Sequence, residues 1–209
     1  MTESTAVLVF ARAPVPGAAK TRLMPALGAD GAARASAALT RRALRTAADA
    51  RLGAVELWCA PDCSHPFFAD CAFEFGVTLH AQSAGDVGQR MAQAFDDALG
   101  RHARVVLIGA DAVSLQAADL AAAAIALNGH DAAFAPAEDG GYLLVALRSR
   151  QPALFDGPAW GSSSVWTQTC ARLDAQGLRT CVLPTGYDVD HPADWQRALR
   201  EGLLEGGAC

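Results

Sequence analysis

Apolar runs of strand length alternate along the chain with alanine-rich segments of helical period. The first run is apolar without alternation, which is typical of a parallel strand covered on both faces. Strands are predicted at Ala6–Ala11, Val55–Ala60, Val77–Ala81, Arg104–Gly109, Asp131–Pro136, Tyr142–Leu147 and Thr180–Leu183. Helices are predicted at about Gly31–Ala50, Gly88–Leu99, Gln116–Leu127, Ser163–Gln176 and from Pro192 onward. This alternation predicts an α/β fold, a three-layer α/β/α sandwich around a mostly parallel sheet.

The length and composition fit one compact domain. The chain has 209 residues, of which 52% are hydrophobic and 19% are charged, so a core can form and disorder is disfavoured. We therefore predict a single domain over residues 1–209. The six cysteines include no C-x-x-C pair. A chain this apolar does not need disulfides, which favours reduced thiols in a cytoplasm.

Charge and hydropathy argue against nucleic-acid and membrane partners. The formal net charge is −5, and no basic run is longer than Arg41–Arg42, whereas a nucleic-acid binder needs a concentrated basic face. The longest apolar run, Leu120–Leu127, is far shorter than the ~20 residues that span a bilayer. The first residues lack the basic region of a signal peptide. We expect a cytoplasmic protein with a small-molecule substrate.

The loop after the first strand carries candidate phosphate ligands. In open α/β sheets, ligands bind beyond the carboxyl ends of the strands, and here Arg12, Gly17, Lys20 and Arg22 follow that strand. Lys20 is the only lysine among 17 basic residues. Prolines and a glycine stiffen the loop, and an ammonium and a guanidinium suit phosphate oxygens. The alternative is a solvated loop with ordinary surface charges; the spacing fits neither a Walker A loop nor a G-x-G-x-x-G motif.

Two acidic sites predict a divalent cation. Asp111 follows the strand Arg104–Gly109, and Asp188 and Asp190 point the same way if their segment is extended. Carboxylates together with substrate phosphates are typical ligands of Mg²⁺ or Mn²⁺, and we predict Asp111 and Asp190 as the metal ligands. The alternatives are a turn or helix-capping role for Asp111, and a cap by Asp190 or His191 ahead of Pro192.

The loop between the fifth and sixth predicted strands is a candidate acceptor site. The segment from Glu138 to Tyr142 reads as a hairpin turn, because Asp-Gly is a common hairpin signal. In a functional interpretation, Asp139 binds an acceptor hydroxyl, and the paired glycines allow the ligand to approach the backbone closely. The predicted acceptor-binding residues are Asp139, Gly140, Gly141, Tyr142 and Trp160.

A third loop leads into the helix Gly88–Leu99. Its residues Gly88, Gln89 and Arg90 are suited to hydrogen-bonding a nucleobase or an anion. Helix capping explains the same residues nearly as well. We include them among the predicted nucleotide-binding residues, with Arg12, Gly17, Lys20 and Arg22.

Four motifs together resemble a bacterial glycosyltransferase family in the nucleotide-diphospho-sugar transferase superfamily, some of whose members are associated with arsenosugar biosynthesis. The motifs are Phe10–Leu23, Gly109–Asp111, Glu138–Tyr142 and Asp188–Asp190. The resemblance implies a glycosyltransferase-A type fold and a divalent metal. Guanylyltransferases for molybdenum cofactor and for phospholactate are more distantly similar.

By this resemblance, Lys20 and Arg22 correspond to phosphate-binding residues, Asp111 to a metal ligand and Asp190 to a second one. One departure is that the family usually has Cys-Pro after the aspartate, where this chain has Ala112–Val113.

The leading hypothesis is therefore a metal-dependent transferase that moves a sugar from a nucleotide-sugar to a small acceptor. Lys20, Arg22, Asp111 and Asp139 are its predicted catalytic residues. One alternative is a nucleotidyltransferase that acts on a nucleoside triphosphate and a phosphorylated acceptor. Another is a non-catalytic nucleotide-binding protein, which Ala112–Val113 favours.

Overall fold

In the part of the chain that the structure describes, the fold consists of one seven-stranded sheet and six α-helices. The computed structural model describes residues 4–204. The strands are β1 (Thr5–Arg12), β2 (Gly53–Ala60), β3 (Thr78–Ala81), β4 (Arg104–Gly109), β5 (Ala132–Pro136), β6 (Tyr142–Leu147) and β7 (Thr180–Val182). The helices are α1 (Met24–Asp49), α2 (Pro66–Phe75), α3 (Val87–Leu99), α4 (Ala117–Ala126), α5 (Val165–Ala175) and α6 (Pro192–Arg200).

The strand order in the sheet is β3-β2-β1-β4-β6-β5-β7. Only β6 runs antiparallel to its neighbours, β4 and β5, and all other pairings are parallel. The β5–β6 pair is the hairpin predicted around the Asp-Gly turn. The predicted α/β fold with a mostly parallel sheet is therefore confirmed.

Helices cover both faces of the sheet, which explains why β1 is apolar at consecutive positions. Val7 and Val9 of β1 pack in the core cluster that includes side chains of α1, α2 and α4. Ala6 and Leu8 pack in the opposite cluster, which includes side chains of α3 and α5. Successive side chains of a strand point to opposite faces, so a strand covered on both sides is apolar at consecutive positions.

A smaller apolar cluster supports the loops at the carboxyl edge of the sheet. Trp195 of α6, which is 1% exposed, packs with Leu39 of α1 and with Val113, Tyr187 and Val189. These three loop residues are sequence neighbours of the acidic side chains predicted as metal ligands. The loops that carry the acidic side chains are therefore held in place by packing of their apolar residues.

Two helices differ from the sequence prediction. Helix α1 begins at Met24 instead of Gly31, and its first turn is set apart by non-helical dihedral angles at Gly28. Helix α2 was not predicted: Phe67, Phe68 and Cys71 are its buried residues, and a ten-residue segment with few strong helix formers gives a weak periodic signal. Among residues 4–204, none of the helices has the length and apolar character needed to cross a membrane.

Candidate nucleotide and metal site

A cavity opens where the strand order reverses. The chain proceeds outward from β1 to β2 and β3, then returns to place β4 on the other side of β1, and such switch points form ligand crevices at the carboxyl ends of the strands. The cavity there has a volume of about 500 Å³, within the range of ~300–1,000 Å³ that is typical of small-molecule sites.

Lys20 and Arg22 meet the acidic side chains in the lining of this cavity. The Lys20 Nζ atom lies 2.7 Å from Asp111 Oδ2 and 3.0 Å from Asp190 Oδ1. The Arg22 Nη1 atom lies 2.6 Å from Asp190 Oδ2. The structure thus brings together the basic loop and the two distant acidic segments that were predicted to meet.

Lys20 is presented by a tightly turned loop. The amides of Ala18 and Ala19 both donate to the carbonyl oxygen of Val15, and Lys20 itself has left-handed dihedral angles, φ 45° and ψ 48°. For a non-glycine residue this conformation costs roughly 1–2 kcal/mol. The turn directs the lysine into the carboxylates, where its side chain is only 14% exposed.

Backbone hydrogen bonds hold the segment Gly186–Asp190 against the loop after β4. The amide of Val189 donates to the carbonyl oxygen of Asp111 over 3.1 Å. The Ser114 hydroxyl donates to the carbonyl oxygen of Tyr187 and accepts from the Tyr187 amide, both at 2.8 Å. Asp188 and Asp190 alternate with the buried Val189, so both carboxylates lie on the side of Asp111.

Arg42 of α1 supports the turn after Asp111 from behind. Its Nε and Nη2 atoms donate to the carbonyl oxygen of Val113 over 3.0 and 2.9 Å. Val113 is also 2% exposed. The Ala112–Val113 turn, where the resembled family has Cys-Pro, is therefore fixed by packing and by an arginine fork.

Asp111, Asp188 and Asp190 form a compact group, here called the acidic cluster. Each offers a carboxylate oxygen, and these oxygens all lie within 4.8 Å of one another. Burial and the nearby carboxylates of Asp111, Asp139 and Asp190 together raise the pKa of Asp188 to about 7, against the opposing charge of Lys20. For Asp190, burial acts to raise the pKa, but Lys20 and Arg22 outweigh it and lower the pKa. The pKa of Lys20 is raised because Asp111 and Asp190 outweigh its burial.

The donor chemistry of the acidic cluster fits a hard divalent cation. Mg²⁺ and Mn²⁺ prefer oxygen ligands, and carboxylates beside a phosphate-binding loop are a common arrangement for them. Within residues 4–204, this is the one group of three acidic, histidine or cysteine side chains close enough to share an ion. Asp188 was not selected from the sequence, although the two-residue repeat that favoured Asp190 applies to it equally.

Arg12 and Arg90 line the cavity together with Lys20 and Arg22. Gln82, which was not predicted, lines it too. The Gln82 side chain donates to the carbonyl oxygens of Ala11 and Trp58 and accepts from Arg90. Its position directly after β3 was the available signal, because ligand-binding residues concentrate at strand ends.

Three other predicted nucleotide-binding residues lie outside the cavity lining. Gly17 is exposed in the first loop. Gly88 is buried where a Cβ atom would overlap the Trp160 ring and the carbonyl oxygen of Phe155. The Gln89 side chain accepts from the Asp86 amide in a capping box at the start of α3, as the alternative interpretation had it.

The predicted acceptor residues form a separate region beyond Asp188. Asp139 is exposed and accepts a hydrogen bond from the Gly141 amide at 2.9 Å, and it lies close enough to Asp188 to raise that residue's pKa. Gly140 has φ 91° and leaves no space for a Cβ atom beside the Ser163 carbonyl group. The rings of Tyr142 and Trp160 pack edge to face with centroids 6.3 Å apart, and burial raises the pKa of Tyr142.

Solved structures with this strand arrangement define the class of protein. The chain is similar to a Desulfovibrio desulfuricans G20 protein that is provisionally named a nucleotide-diphospho-sugar transferase. The two are 30% identical, the match covers 91% of this chain and 84% of that one, and the TM-score is 0.82. The chain thus has the fold of the nucleotide-diphospho-sugar transferases. The family model that matches residues 43–162 is DUF2064, described as an uncharacterized protein conserved in bacteria, and the chain belongs to this family.

More distant structures share the fold. The 4-diphosphocytidyl-2C-methyl-D-erythritol synthase of Anaerococcus prevotii DSM 20548 is 9% identical, with coverage of 95% of this chain and 98% of that one and a TM-score of 0.65. Rv0371c of Mycobacterium tuberculosis H37Rv, solved in complex with manganese, is 16% identical, with coverage of 95% and 99% and a TM-score of 0.56. The comparison with curated proteins gives no match.

Proposed function

We propose that this protein is a transferase that uses a nucleotide-activated donor, and that it moves a sugar from a nucleotide-sugar to a small acceptor. The observation that carries the proposal is the contact of Lys20 and Arg22 with Asp111 and Asp190 in the lining of a cavity of about 500 Å³. Such a pairing suits a diphosphate bound together with a cation.

The basic side chains would act on the leaving group. Lys20 and Arg22 are positioned to bind phosphate oxygens and to stabilise the negative charge that develops on a departing nucleoside diphosphate. Asp111, Asp190 and Asp188 would hold a divalent cation, which neutralises diphosphate charge when bound. Arg12 and Arg90, which also line the cavity, would contact the rest of the nucleotide.

The acceptor would bind on the Asp139 side of the acidic cluster. The Asp139 carboxylate is exposed, and one of its oxygens is held by the Gly141 amide, so the group can hold or deprotonate an acceptor hydroxyl without losing its place. The packed rings of Tyr142 and Trp160 would fix the hairpin that carries Asp139. In this proposal the two rings support the acceptor region.

Nucleotidyl transfer is the second candidate. Three cationic side chains, Arg12, Lys20 and Arg22, line the cavity from one loop and its preceding strand, and this number of charges suits a triphosphate as well as a diphosphate. A cytidylyltransferase from Leptospira borgpetersenii and a nucleotidyl transferase from Methanothermobacter are among the structures with this fold.

The test is calorimetric titration with Mg²⁺ and a panel of UDP-, GDP- and dTDP-sugars and nucleoside triphosphates. We expect one nucleotide-sugar to bind and, with an acceptor, to release its nucleoside diphosphate. Release of pyrophosphate from a triphosphate would favour the second candidate.

The variant Asp139→Asn should keep donor binding and lose transfer. If Asp111→Asn leaves nucleotide binding and its Mg²⁺ dependence unchanged, the protein is a nucleotide binder without the proposed chemistry.

A further inference from the structure

The Lys20 ammonium occupies the position between two of the three proposed metal ligands. Its Nζ atom lies 2.7 Å from Asp111 Oδ2 and 3.0 Å from Asp190 Oδ1. Both carboxylates belong to the acidic cluster, whose oxygens lie within 4.8 Å of one another. Because the lysine side chain is 14% exposed, these carboxylates replace most of the water that would otherwise surround the ammonium.

An ammonium and a divalent cation use the same oxygen lone pairs. Mg²⁺ binds carboxylate oxygens at about 2.0–2.1 Å in octahedral geometry, whereas the lysine donates hydrogen bonds to them. Two positive centres that share one pair of carboxylates also repel each other, and this repulsion is stronger in a partly buried site than in water. The cation can therefore coordinate both carboxylates fully only when the Lys20 ammonium moves away from them.

We propose that Lys20 and the divalent cation are alternative occupants of the Asp111–Asp190 pair, and that cation binding releases the Lys20 ammonium toward the nucleotide phosphates. The inference rests on the cation site of the proposed function. Arg22 keeps its own contact with Asp190 Oδ2, so this carboxylate stays anchored when the lysine leaves.

The exchange couples the cation to the nucleotide. A cation that binds alone must displace Lys20 with no phosphate to receive the ammonium, whereas a cation that arrives with the nucleotide leaves Lys20 a new anionic partner. The two ligands therefore bind more tightly together than separately, and by linkage each raises the affinity of the other equally. In the free protein, Lys20 holds the carboxylates in place for the cation.

The first test uses the fact that Lys20 is the only lysine of the chain. In protein labelled with ¹⁵N-lysine, a single side-chain Nζ resonance reports on this group. Without metal, we expect the protected signal of a hydrogen-bonded ammonium. Saturating Mg²⁺ should shift or broaden it as the ammonium is released. An unchanged Lys20 signal in protein that has bound Mg²⁺, with binding measured by calorimetry, would overturn the inference.

The second test compares Mn²⁺ affinities without nucleotide, measured by electron paramagnetic resonance of the free ion. Lys20→Met removes the competing charge and should raise the Mn²⁺ affinity about tenfold. The control, Arg45→Met, removes an exposed positive charge of α1 that does not line the cavity, and it should change the affinity less than about twofold. An affinity in Lys20→Met equal to or below that of the wild type contradicts the exchange.

The same measurement on Asp111→Asn distinguishes failure of the Lys20 exchange from failure of the cation site itself. If Asp111→Asn loses Mn²⁺ binding while Lys20→Met leaves it unchanged, the cation site stands and the exchange fails. If Asp111→Asn binds Mn²⁺ as the wild type does, or if neither the wild type nor Lys20→Met binds it, the cation site itself fails and the inference falls with it.

Discussion

The acidic cluster and a second group of charged residues, centred on Glu56 of β2, both combine carboxylates with positively charged side chains, but in opposite proportions. In the second group, here called the Glu56 cluster, one carboxylate meets several donors. Arg101 Nη2 lies 2.8 and 2.9 Å from the two Glu56 oxygens, and Trp58 Nε1 donates to Oε2 over 3.1 Å. His102 and His80 lie 3.3 and 3.6 Å away. In the acidic cluster, three carboxylates share one lysine and one arginine.

The pKa shifts follow these proportions. Burial acts to raise the pKa of both Glu56 and Asp188. The donors around Glu56 outweigh burial and lower its pKa, whereas the neighbouring carboxylates of Asp188 add to burial and raise it to about 7. A buried carboxylate whose lone pairs are all used stabilises the fold. A surplus of carboxylates beside a cavity is costly for the fold, and in the proposed function it serves to bind a cation.

The largest effect is expected for Asp111→Asn. Loss of a carboxylate that both Lys20 and the cation use should weaken Mn²⁺ binding by about 100-fold or more, since even outer-shell changes cost metal sites ~10–100-fold. The free energy of unfolding should change by less than about 1 kcal/mol, because removal of a like charge offsets the lost ion pair. Metal titration and urea unfolding of the same sample measure the two quantities. A large loss of stability with intact Mn²⁺ binding would reverse the roles assigned to the two clusters.

Glu56→Gln should show the opposite pattern. The Glu56 side chain is 4% exposed, and its removal as a charge leaves Arg101 and the two histidines without their anion. We expect a loss of about 2–3 kcal/mol in the free energy of unfolding, at the low end for a broken buried ion pair because the 42% exposed Arg101 side chain can turn to water. Urea denaturation measures the loss. Nucleotide and Mn²⁺ affinities should remain those of the wild type, and a change in either would connect the Glu56 cluster to the site.

The fold could be predicted from the sequence because strands buried on both faces leave continuous apolar runs. The same reasoning failed for α2, whose short aromatic sequence lacks a clear helical period. The resemblance to nucleotide-diphospho-sugar transferases is confirmed for the fold, and the association with arsenosugar biosynthesis stays a prediction. Lys20 and Asp111 could be placed together because both follow strands at the switch point, although they are 91 residues apart.

Contacts that depend on side-chain orientation could not be predicted. The support of Val113 by Arg42 requires the rotation of α1 about its axis and its distance from the β4 loop, neither of which a sequence pattern contains. Tyr142 and Trp160 were predicted as acceptor-binding residues. The structure packs their rings against each other and against Phe134 and Gly88, so their role in binding stays a prediction.

Arg42→Met should weaken Mn²⁺ binding at the acidic cluster, although Arg42 itself does not contact the three carboxylates. The substitution removes both hydrogen bonds to the Val113 carbonyl oxygen, so the turn that carries Asp111 becomes less fixed. We expect about a tenfold loss of Mn²⁺ affinity and about 1 kcal/mol of stability. Arg45→Met is the matched control, because Arg45 lies on the same helix and is exposed; it should leave both quantities unchanged. If both variants lose the same Mn²⁺ affinity, the cause is the change in net charge and not a displacement of Asp111.

The smallest effect is the pH dependence that distinguishes the Glu56 cluster. Because the folded-state pKa of Glu56 is lowered from 4.5, the unfolded chain binds its proton first as the pH falls. The contribution of Glu56 to stability is therefore complete above the unfolded pKa and is lost as the pH falls through the folded pKa. The difference in unfolding free energy between the wild type and Glu56→Gln should be constant from about pH 5.5 to 7 and should shrink below about pH 4.5. Taking the difference cancels the contributions of the other carboxylates. A difference that does not shrink at acid pH would mean that packing rather than charge makes Glu56 necessary.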